Sequence, residues 1–471
     1  MLFTDRIFLF AFLPVVLLLF HAAAAAGRRA LLLPILLLAS LVFYAAGDLV
    51  HLPVLAGSVV VNYLAGQRIA AMTPGSAGRR LALAAAVTFN LVLLGVFKYT
   101  HFILANVFGW LGIDAAAPSL ALPVGISFYT FTQLAFLIDV SRGLPLQTTP
   151  LGYGLFATYF PHLVAGPIIH WRDIIPQFER LASRGIGAAR DIVTRSSAEQ
   201  GVTLFAIGMA KKLLLADQLA PIVDYGWTRA GGLGFLDAWL LSLGYTFQLY
   251  FDFSGYADMA IGISLLFGIR LPLNFDAPYR AASIQEFWRR WHITLSSWLR
   301  DYLYIPLGGN RAGTARTYLN LFLTFLLGGL WHGAAWSFVA WGAMHGAACC
   351  VQKAWHATGL ALPRPAGVLV TFLFVNFAWV FFRAPDLRSA AQVLTAMVSP
   401  GAGIDERILV IWPLLLIGAG LVWLCPTSTV LASAPRRGRS LVAGAALGAA
   451  LLLGFVATNT SLPSPFIYYN F

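Results

Sequence analysis

Of the nine histidines in the chain, two stand where an imidazole could do chemistry. His332 lies between Gly328-Gly329 and Gly333, flanked by Trp331 and Trp336, in a stretch from Arg316 to Lys353 between which no charged residue occurs. An ionisable side chain in so apolar a run is a functional candidate by default. A neutral imidazole near pH 7 can take the proton of a hydroxyl, and a water-poor setting protects an activated acyl group from hydrolysis meanwhile. The plainer role for a histidine between tryptophans is a hydrogen bond that holds helices together. His292, which follows Trp291 at the end of an aromatic and basic run, is the second candidate. A third constellation, Asp252, Ser254, Tyr256 and Asp258, lies in or just beyond an apolar run. Its carboxylates could form an acid pair or hold a metal, but supporting broken helices or pairing with the basic 270–316 block fits better. Cys349, Cys350 and Cys425 lack the spacing of a zinc site or a disulfide framework, so they read as small buried hydrophobes and no metal is expected. His162 reads as a loop anchor. His345, a little more than halfway round a straight helix from His332, reads as structural.

The segments carrying these residues must hold them in particular ways. Ser283 followed by Glu286 fits a capping box that starts a helix. After it, Ile284, Phe287, Trp288, Trp291, Leu295, Trp298, Leu299 and Tyr302 recur at helical spacing, opposite Arg289, Arg290, Arg300 and Asp301. The spacing predicts one amphipathic helix at the membrane surface, with His292 on the border of its two faces. The uncharged run from Arg316 to Lys353 would make a helix of about 54 Å, against a hydrocarbon core of about 30 Å. It must bend or break, and Gly328-Gly329 and Gly333 are the natural places. Irregular backbone at membrane depth is tolerated only against protein or a wet cavity, which puts His332 inside the protein beside a channel or pocket.

Composition sets the frame for both segments. Hydrophobic residues make up 59% of the 471, charged residues 11%, and the mean hydropathy is +0.77. Soluble domains carry about 25% charged residues, so this chain is an integral membrane protein. Apolar runs recur at Ile7–Ala25, Leu31–Ala46, Leu81–Phe97, Pro123–Val140, Phe235–Phe251, Val368–Phe382, Ile408–Leu424 and Leu441–Ala457. With weaker stretches they predict about 11 to 13 membrane helices in one polytopic domain spanning residues 1–471. The first run is followed at once by Arg28-Arg29 and a second run, so it reads as a retained helix rather than a cleaved leader. The net charge of +12 fits topology. Arg28, Arg29, Arg68, Arg79 and Arg80 fall in the first and third loops, which predicts an external, periplasmic N-terminus. No soluble basic face suggests nucleic acid. The polar stretch His170–Gln200 reads as a cytoplasmic loop, and the Ser464–Phe471 tail as a segment tucked into the bundle or the interface.

Taken in order, the motifs resemble those of the membrane-bound O-acyltransferases. They are Phe97-Lys98-Tyr99, Pro123-Val-Gly-Ile-Ser-Phe128-Tyr129, Phe160-Pro161-His162, Ala165-Gly166-Pro167, Gly208-Met-Ala-Lys211-Lys212, Tyr250-Phe-Asp252-Phe-Ser254-Gly255-Tyr256-Ala-Asp258-Met259, Glu286-Phe-Trp-Arg-Arg-Trp-His292, Trp298-Leu-Arg-Asp-Tyr302, Pro306-Leu-Gly-Gly-Asn310, Gly329-Leu-Trp-His332-Gly333, Phe381-Phe-Arg383-Ala384 and Phe466-Ile-Tyr468. The resemblance covers nearly the whole chain, with a signature core over residues 98–383. It lies with the bacterial branch, nearer the membrane subunit of alginate O-acetylation than the D-alanyl transfer protein of teichoic acid.

The resemblance implies an all-α ring of tilted helices around a central tunnel, with interfacial and re-entrant helices, in a bacterial inner membrane. His332 matches the family's catalytic histidine and His292 the second histidine of the bacterial branch, which orients substrate or polarises a carbonyl. Arg289, Arg290, Lys211 and Lys212 could meet donor phosphates, although positive-inside topology and headgroup contacts also explain them. Asp252, Ser254, Tyr256, Asp258, Trp331 and Asn310 are implied tunnel or structural residues. The implied reaction moves a short acyl group from a cytoplasmic donor, acetyl-CoA as substrate rather than bound cofactor. The acceptor is a hydroxyl of an extracellular polysaccharide such as alginate, cellulose or peptidoglycan, or a periplasmic partner that completes the transfer. A transporter, flippase or export scaffold without chemistry is the alternative. A transporter predicts paired broken helices in repeated halves, whereas the candidates here cluster between His292 and His332.

Overall fold

The computed structural model describes residues 1–113, 118, 120–145, 148–183, 193–400, 403–433, 444, 448 and 466–467. The expected span Leu441–Ala457, most of the Ser464–Phe471 tail, and Arg184, Arg190 and Asp191 of the polar stretch lie outside the described residues. Among the described residues the regular elements are all helices, with no strand. Lipid leaves no alternative short of a closed barrel, since an open backbone polar group has no partner there. The chain divides into two compact units, Met1–Phe205 with Met259–Pro272, and Ala206–Asp258 with Leu273–Ile467.

The first unit opens with four long apolar helices. A π turn, Phe8–Phe12, runs into α1 (Leu13–Ala25), followed by α2 (Leu32–Asp48), α3 (Leu52–Ala71) and α4 (Ala77–Lys98). All four are long and apolar enough to cross a membrane. Their outward faces carry exposed Leu18, Leu38, Leu64 and Leu81, the surface a lipid-facing helix presents. The buried sides are stitched by polar pairs, including Asn62 and Asn90, whose side-chain amides bond each other at 3.1 and 2.6 Å. After α5 (Thr100–Leu111), Gly125 at φ +71° starts α6 (Ile126–Ser141), where a Cβ would stand 2.6 Å from the Leu163 carbonyl oxygen. The short helices α7 (Pro150–Thr158), α8 (Phe160–Leu163) and α9 (Trp171–Ala182) complete this region. His162 Nε2 donates to the Phe156 carbonyl oxygen, 3.1 Å away, and the ring is buried in its short helix. The first apolar run packs as a helix on α2, with Phe20 edge-on to Phe267.

The second unit holds His292 and His332. The helix α10 (Arg195–Ala210), counted with the first unit as far as Phe205, leads through a π turn, Lys211–Ala216, into α11 (Asp217–Trp227), and the 32-residue α12 (Phe235–Leu266) follows, counted with the first unit from Met259. Then come α13 (Ile284–Arg290), α14 (Ile293–Leu299), α15 (Thr314–His332), α16 (Trp336–Ala357), α17 (Arg364–Arg383), α18 (Leu387–Val398), α19 (Glu406–Leu409), α20 (Trp412–Trp423) and α21 (Ser428–Ser433). Arg364–Arg383 and Glu406–Trp423 bring the helices apolar and long enough to span to six among the described residues. The expected run Leu441–Ala457 lies outside the described residues, and two physical features set other runs apart. Some runs fold into short helices, as Pro123–Val140 does in the 16-residue α6. Others lie in helices whose apolar character is interrupted: α12 holds Asp237, Asp252 and Asp258, and α15 and α16 hold Asn320, His332 and His345.

Candidate active site

His332 is the last residue of α15 and is 3% exposed. Its ring is held edge-on by Trp341 of α16 (5.1 Å, 89°) and Phe382 of α17 (5.1 Å, 70°), with Trp331 at 4.9 Å. The chain breaks immediately afterwards, at Gly333, and restarts as α16 at Trp336. A Cβ on Gly333 would stand 2.1 Å from the Phe338 ring. Gly328-Gly329, by contrast, lies within the continuous helix and does not break it. Its use is packing: a Cβ on Gly329 would meet the Phe338 carbonyl oxygen at 2.4 Å and the Gly342 Cα at 2.8 Å, and one on Gly342 would meet the Phe325 carbonyl oxygen at 2.5 Å. These glycines let α15 and α16 lie together as a close antiparallel hairpin, as small residues do where membrane helices meet.

His292 lies in a different kind of break. The single amphipathic helix expected over this block is two short helices, α13 and α14, with a π turn Arg300–Tyr304 after them. The capping box forms nearly as expected: Ser283 Oγ accepts from Glu286 N (3.1 Å), while Glu286 Oε2 accepts from Ala282 N (2.8 Å), one residue before the expected one. The helix stops because the 274–276 segment takes over its backbone bonds. Asp276 N donates to Arg290 O (2.9 Å) and Ile293 N donates to Asn274 O (3.0 Å). His292 sits in the left-handed region, φ +43°, and is fully buried rather than at a surface border.

The geometry around Asn274 also sets the state of the His292 ring. Asn274 Oδ1 accepts from Thr294 N (3.3 Å) and Thr294 Oγ1 (2.9 Å), and His292 Nδ1 lies 3.2 Å from the same oxygen. A carbonyl oxygen only accepts. His292 Nδ1 therefore carries a proton, and in the neutral ring Nε2 holds the lone pair. An aromatic wall connects the two histidine regions: Trp291 meets Trp379 (4.9 Å), Trp379 stacks on Trp341 (5.7 Å, 18°), and Trp341 meets His332.

The lysines and carboxylates pair with one another. Lys211 Nζ reaches Asp258 Oδ2 (2.7 Å) and Ser254 Oγ (3.3 Å), while Lys212 Nζ reaches Asp252 Oδ1 (2.7 Å) and Asp217 Oδ1 (2.8 Å). Asp252 and Asp258 thus pair with Lys212 and Lys211 rather than with the 270–316 block. The expected donor-phosphate role of these two lysines meets a competing carboxylate in each case. Asp252 Oδ2 also accepts from Ile467 N (2.8 Å), and Tyr256 stacks on Phe466 (4.5 Å), so described tail residues dock on α12. Phe466 meets Phe253, whose ring stands edge-on to His292. Arg290 pairs with Glu286 (2.9 Å) and Asp276 (3.8 Å), whereas Arg289 is exposed and has no ion pair among the described residues. Asn310 is exposed, in a turn made by Gly308 (φ +112°) and Gly309 (φ +53°) and tied down by Asn320 Nδ2 on Gly309 O (3.0 Å). No group of three or more His, Cys, Asp or Glu residues could hold a metal among the described residues.

Asn274 and Trp341 escaped the sequence reasoning. Asn274 follows Leu-Pro-Leu and shows no motif; its importance comes from partners distant in sequence. His345, read from the sequence as structural, lies beyond the turn at Gly333, so the straight-helix angle to His332 does not apply, and its ring packs 4.7 Å from Trp341.

Long apolar helices together with a buried, aromatic-walled histidine at a helix break define a multi-pass membrane enzyme class. Residues 147–389 match the MBOAT family, the membrane-bound O-acyltransferases. The chain is 44% identical over 428 residues to a peptidoglycan O-acetyltransferase of Helicobacter pylori, covering 84% of this chain and 80% of that one. It is 43% identical over 409 residues to a probable alginate O-acetylase AlgI of Pseudomonas aeruginosa, covering 85% and 75%. A teichoic acid D-alanyltransferase of Streptococcus thermophilus is 30% identical over 243 residues, 49% of this chain. The protein belongs to the MBOAT family and is an O-acyltransferase.

Proposed function

We propose that the protein transfers an acetyl group from acetyl-CoA to a hydroxyl of a cell-surface polysaccharide, with His332 as the general base. The observation that carries this is the burial of His332 at the end of α15, inside Trp331, Trp341 and Phe382. Such a wall excludes water, so an activated acyl group meets the acceptor hydroxyl before hydrolysis competes. His332 takes the hydroxyl proton as the oxygen attacks the acyl carbonyl. The tetrahedral intermediate collapses, the C–S bond breaks, and the proton passes to the departing thiolate. His292, with Nδ1–H committed to Asn274, orients a hydroxyl through Nε2 rather than polarising a carbonyl. The acceptor class follows the relatives, named for peptidoglycan and alginate O-acetylation. Acetyl-CoA enters from the cytoplasm of a bacterial inner membrane, the N-terminus lies outside, and the acceptor is either the polymer or a periplasmic partner that completes the transfer.

The deciding measurement compares wild type and His332→Ala, at matched membrane abundance, for acetyl ester on the host polysaccharide. General-base loss lowers the rate by about 10²–10⁴-fold, so ester should fall below detection. Normal ester in the variant would remove His332 from the reaction.

A further inference from the structure

Helix α16 carries a second feature beside His332. Ser337, Trp341 and His345 recur at intervals of four, which places them along one helical face. All three are buried, at 1%, 1% and 0% exposure. Ser337 Oγ, Trp341 Nε1 and His345 Nε2 have no hydrogen-bond partner among the described residues. Buried polar groups are nearly always bonded, and here three on one helical face lie next to His332.

The proton positions make the row a set of donors. Trp288 Nε1 lies 3.2 Å from His345 Nδ1. An indole N–H only donates, so Nδ1 is the acceptor and the neutral His345 ring carries its proton on Nε2. Trp341 likewise only donates, and Ser337 supplies a hydroxyl. The row runs next to the proposed base, because Trp341 touches both His332 (5.1 Å) and His345 (4.7 Å). Its surroundings are Trp288, Phe287 and Phe374 against His345, and Trp379 against Trp341. Uncharged donors among aromatic rings suit neutral acceptors, and carbonyl oxygens above all. One step along the row is about 6 Å of helix, comparable with the separation of the thioester and the next amide carbonyl in an extended acyl-CoA arm.

We propose that Ser337, Trp341 and His345 form a row of neutral hydrogen-bond donors that binds the carbonyl-bearing arm of the acyl donor alongside His332. The proposal rests on the reading of His332 as the base of an acetyl-CoA-dependent transfer. It makes Trp341 the donor nearest the reacting carbonyl and His345 a binding residue further along the arm.

The test is acetyl-CoA binding by the purified full-length chain in a His332→Ala background, where turnover does not consume the probe. His345→Phe and Trp341→Phe should each weaken binding by about tenfold, as losing a bond to a buried group does. Ser337→Ala, the least intrusive change, should weaken it by about threefold. His345→Gln, whose amide places an N–H near the position of Nε2, should stay within about threefold of the parent. Parent-like dissociation constants in the Phe and Ala variants that melt normally would overturn the row and leave the His332 assignment standing. A Gln variant as weak as the Phe variant would also overturn it, since ring volume and not the N–H would then matter. Absence of acetyl-CoA binding in the His332→Ala parent would remove acetyl-CoA as the donor, and the row as its site.

Discussion

The breaks at His332 and at His292 are built in opposite ways. At His332 the helix ends where Gly333 turns extended, φ −166°, and the chain folds back as α16. What holds that turn closed is local: glycines at 329 and 342 bring the two helix backbones together. At His292 no glycine is involved. The histidine itself takes φ +43°, and the bonds that would have continued the helix go to Asn274 and Asp276, distant in sequence. One break is steric and self-contained; the other is polar and imposed from outside. Each presents an imidazole to a buried aromatic setting, so the same placement is reached by two routes that should fail differently.

The steric route should fail hardest. Gly329→Leu puts a side chain where a Cβ alone would stand 2.4 Å from a backbone oxygen. Backbone cannot yield as a side chain can, so the hairpin should open, at a cost of about 3 kcal/mol or more. Folded protein, followed by monodispersity and thermal melting in detergent, should be largely lost. Gly328→Ala is the control: its nearest contact is the Leu299 side chain at 3.3 Å, and the cost should stay near about 1 kcal/mol. Equal melting of the two variants would mean that close backbone approach is not what closes this break.

The same contrast explains what could be read from the sequence. The all-helical membrane class, the burial of His332 and the need for a break after Arg316 followed from hydropathy and length, which are local quantities. The position of the break was only half legible, because a glycine pair serves close packing as readily as it serves bending. The His292 break was illegible: Ile284 to Tyr302 keep a continuous helical period, and only the competing bonds from 274–276 interrupt it. Lys211 and Lys212 looked available for phosphates because nothing near them in sequence reveals that Asp258 and Asp252 reach them at 2.7 Å. Pairings across helices decide these cases, and a one-dimensional pattern does not contain them.

The polar route should fail more gently. Asn274→Ala removes an acceptor shared by Thr294 N, Thr294 Oγ1 and His292 Nδ1. Removing an acceptor from buried donors costs about 1–3 kcal/mol, so the protein should fold but melt earlier. Acetyl transfer should drop more than melting alone explains, because the proton position on His292 is no longer fixed. Asn274→Asp keeps an acceptor oxygen in place and should recover most of the stability. If Asn274→Ala melts and turns over like wild type, the 274–276 segment does not impose the break.

The smallest effect separates the backbone at residue 292 from its side chain. Asparagine enters the left-handed region more readily than most residues, whereas a β-branched residue pays about 1–2 kcal/mol there. His292→Asn should therefore melt close to wild type, and His292→Val distinctly lower. Both lose the imidazole, so if His292 orients the acceptor hydroxyl their turnover should fall together by roughly tenfold, the worth of one hydrogen bond to a reacting group. Stability that differs while activity matches would confirm that this break is set by conformation and the chemistry by the ring. Equal melting of Asn and Val would show that the backbone is not held at a positive φ, and a loss as deep as that of His332→Ala would raise His292 from an orienting group to a second base.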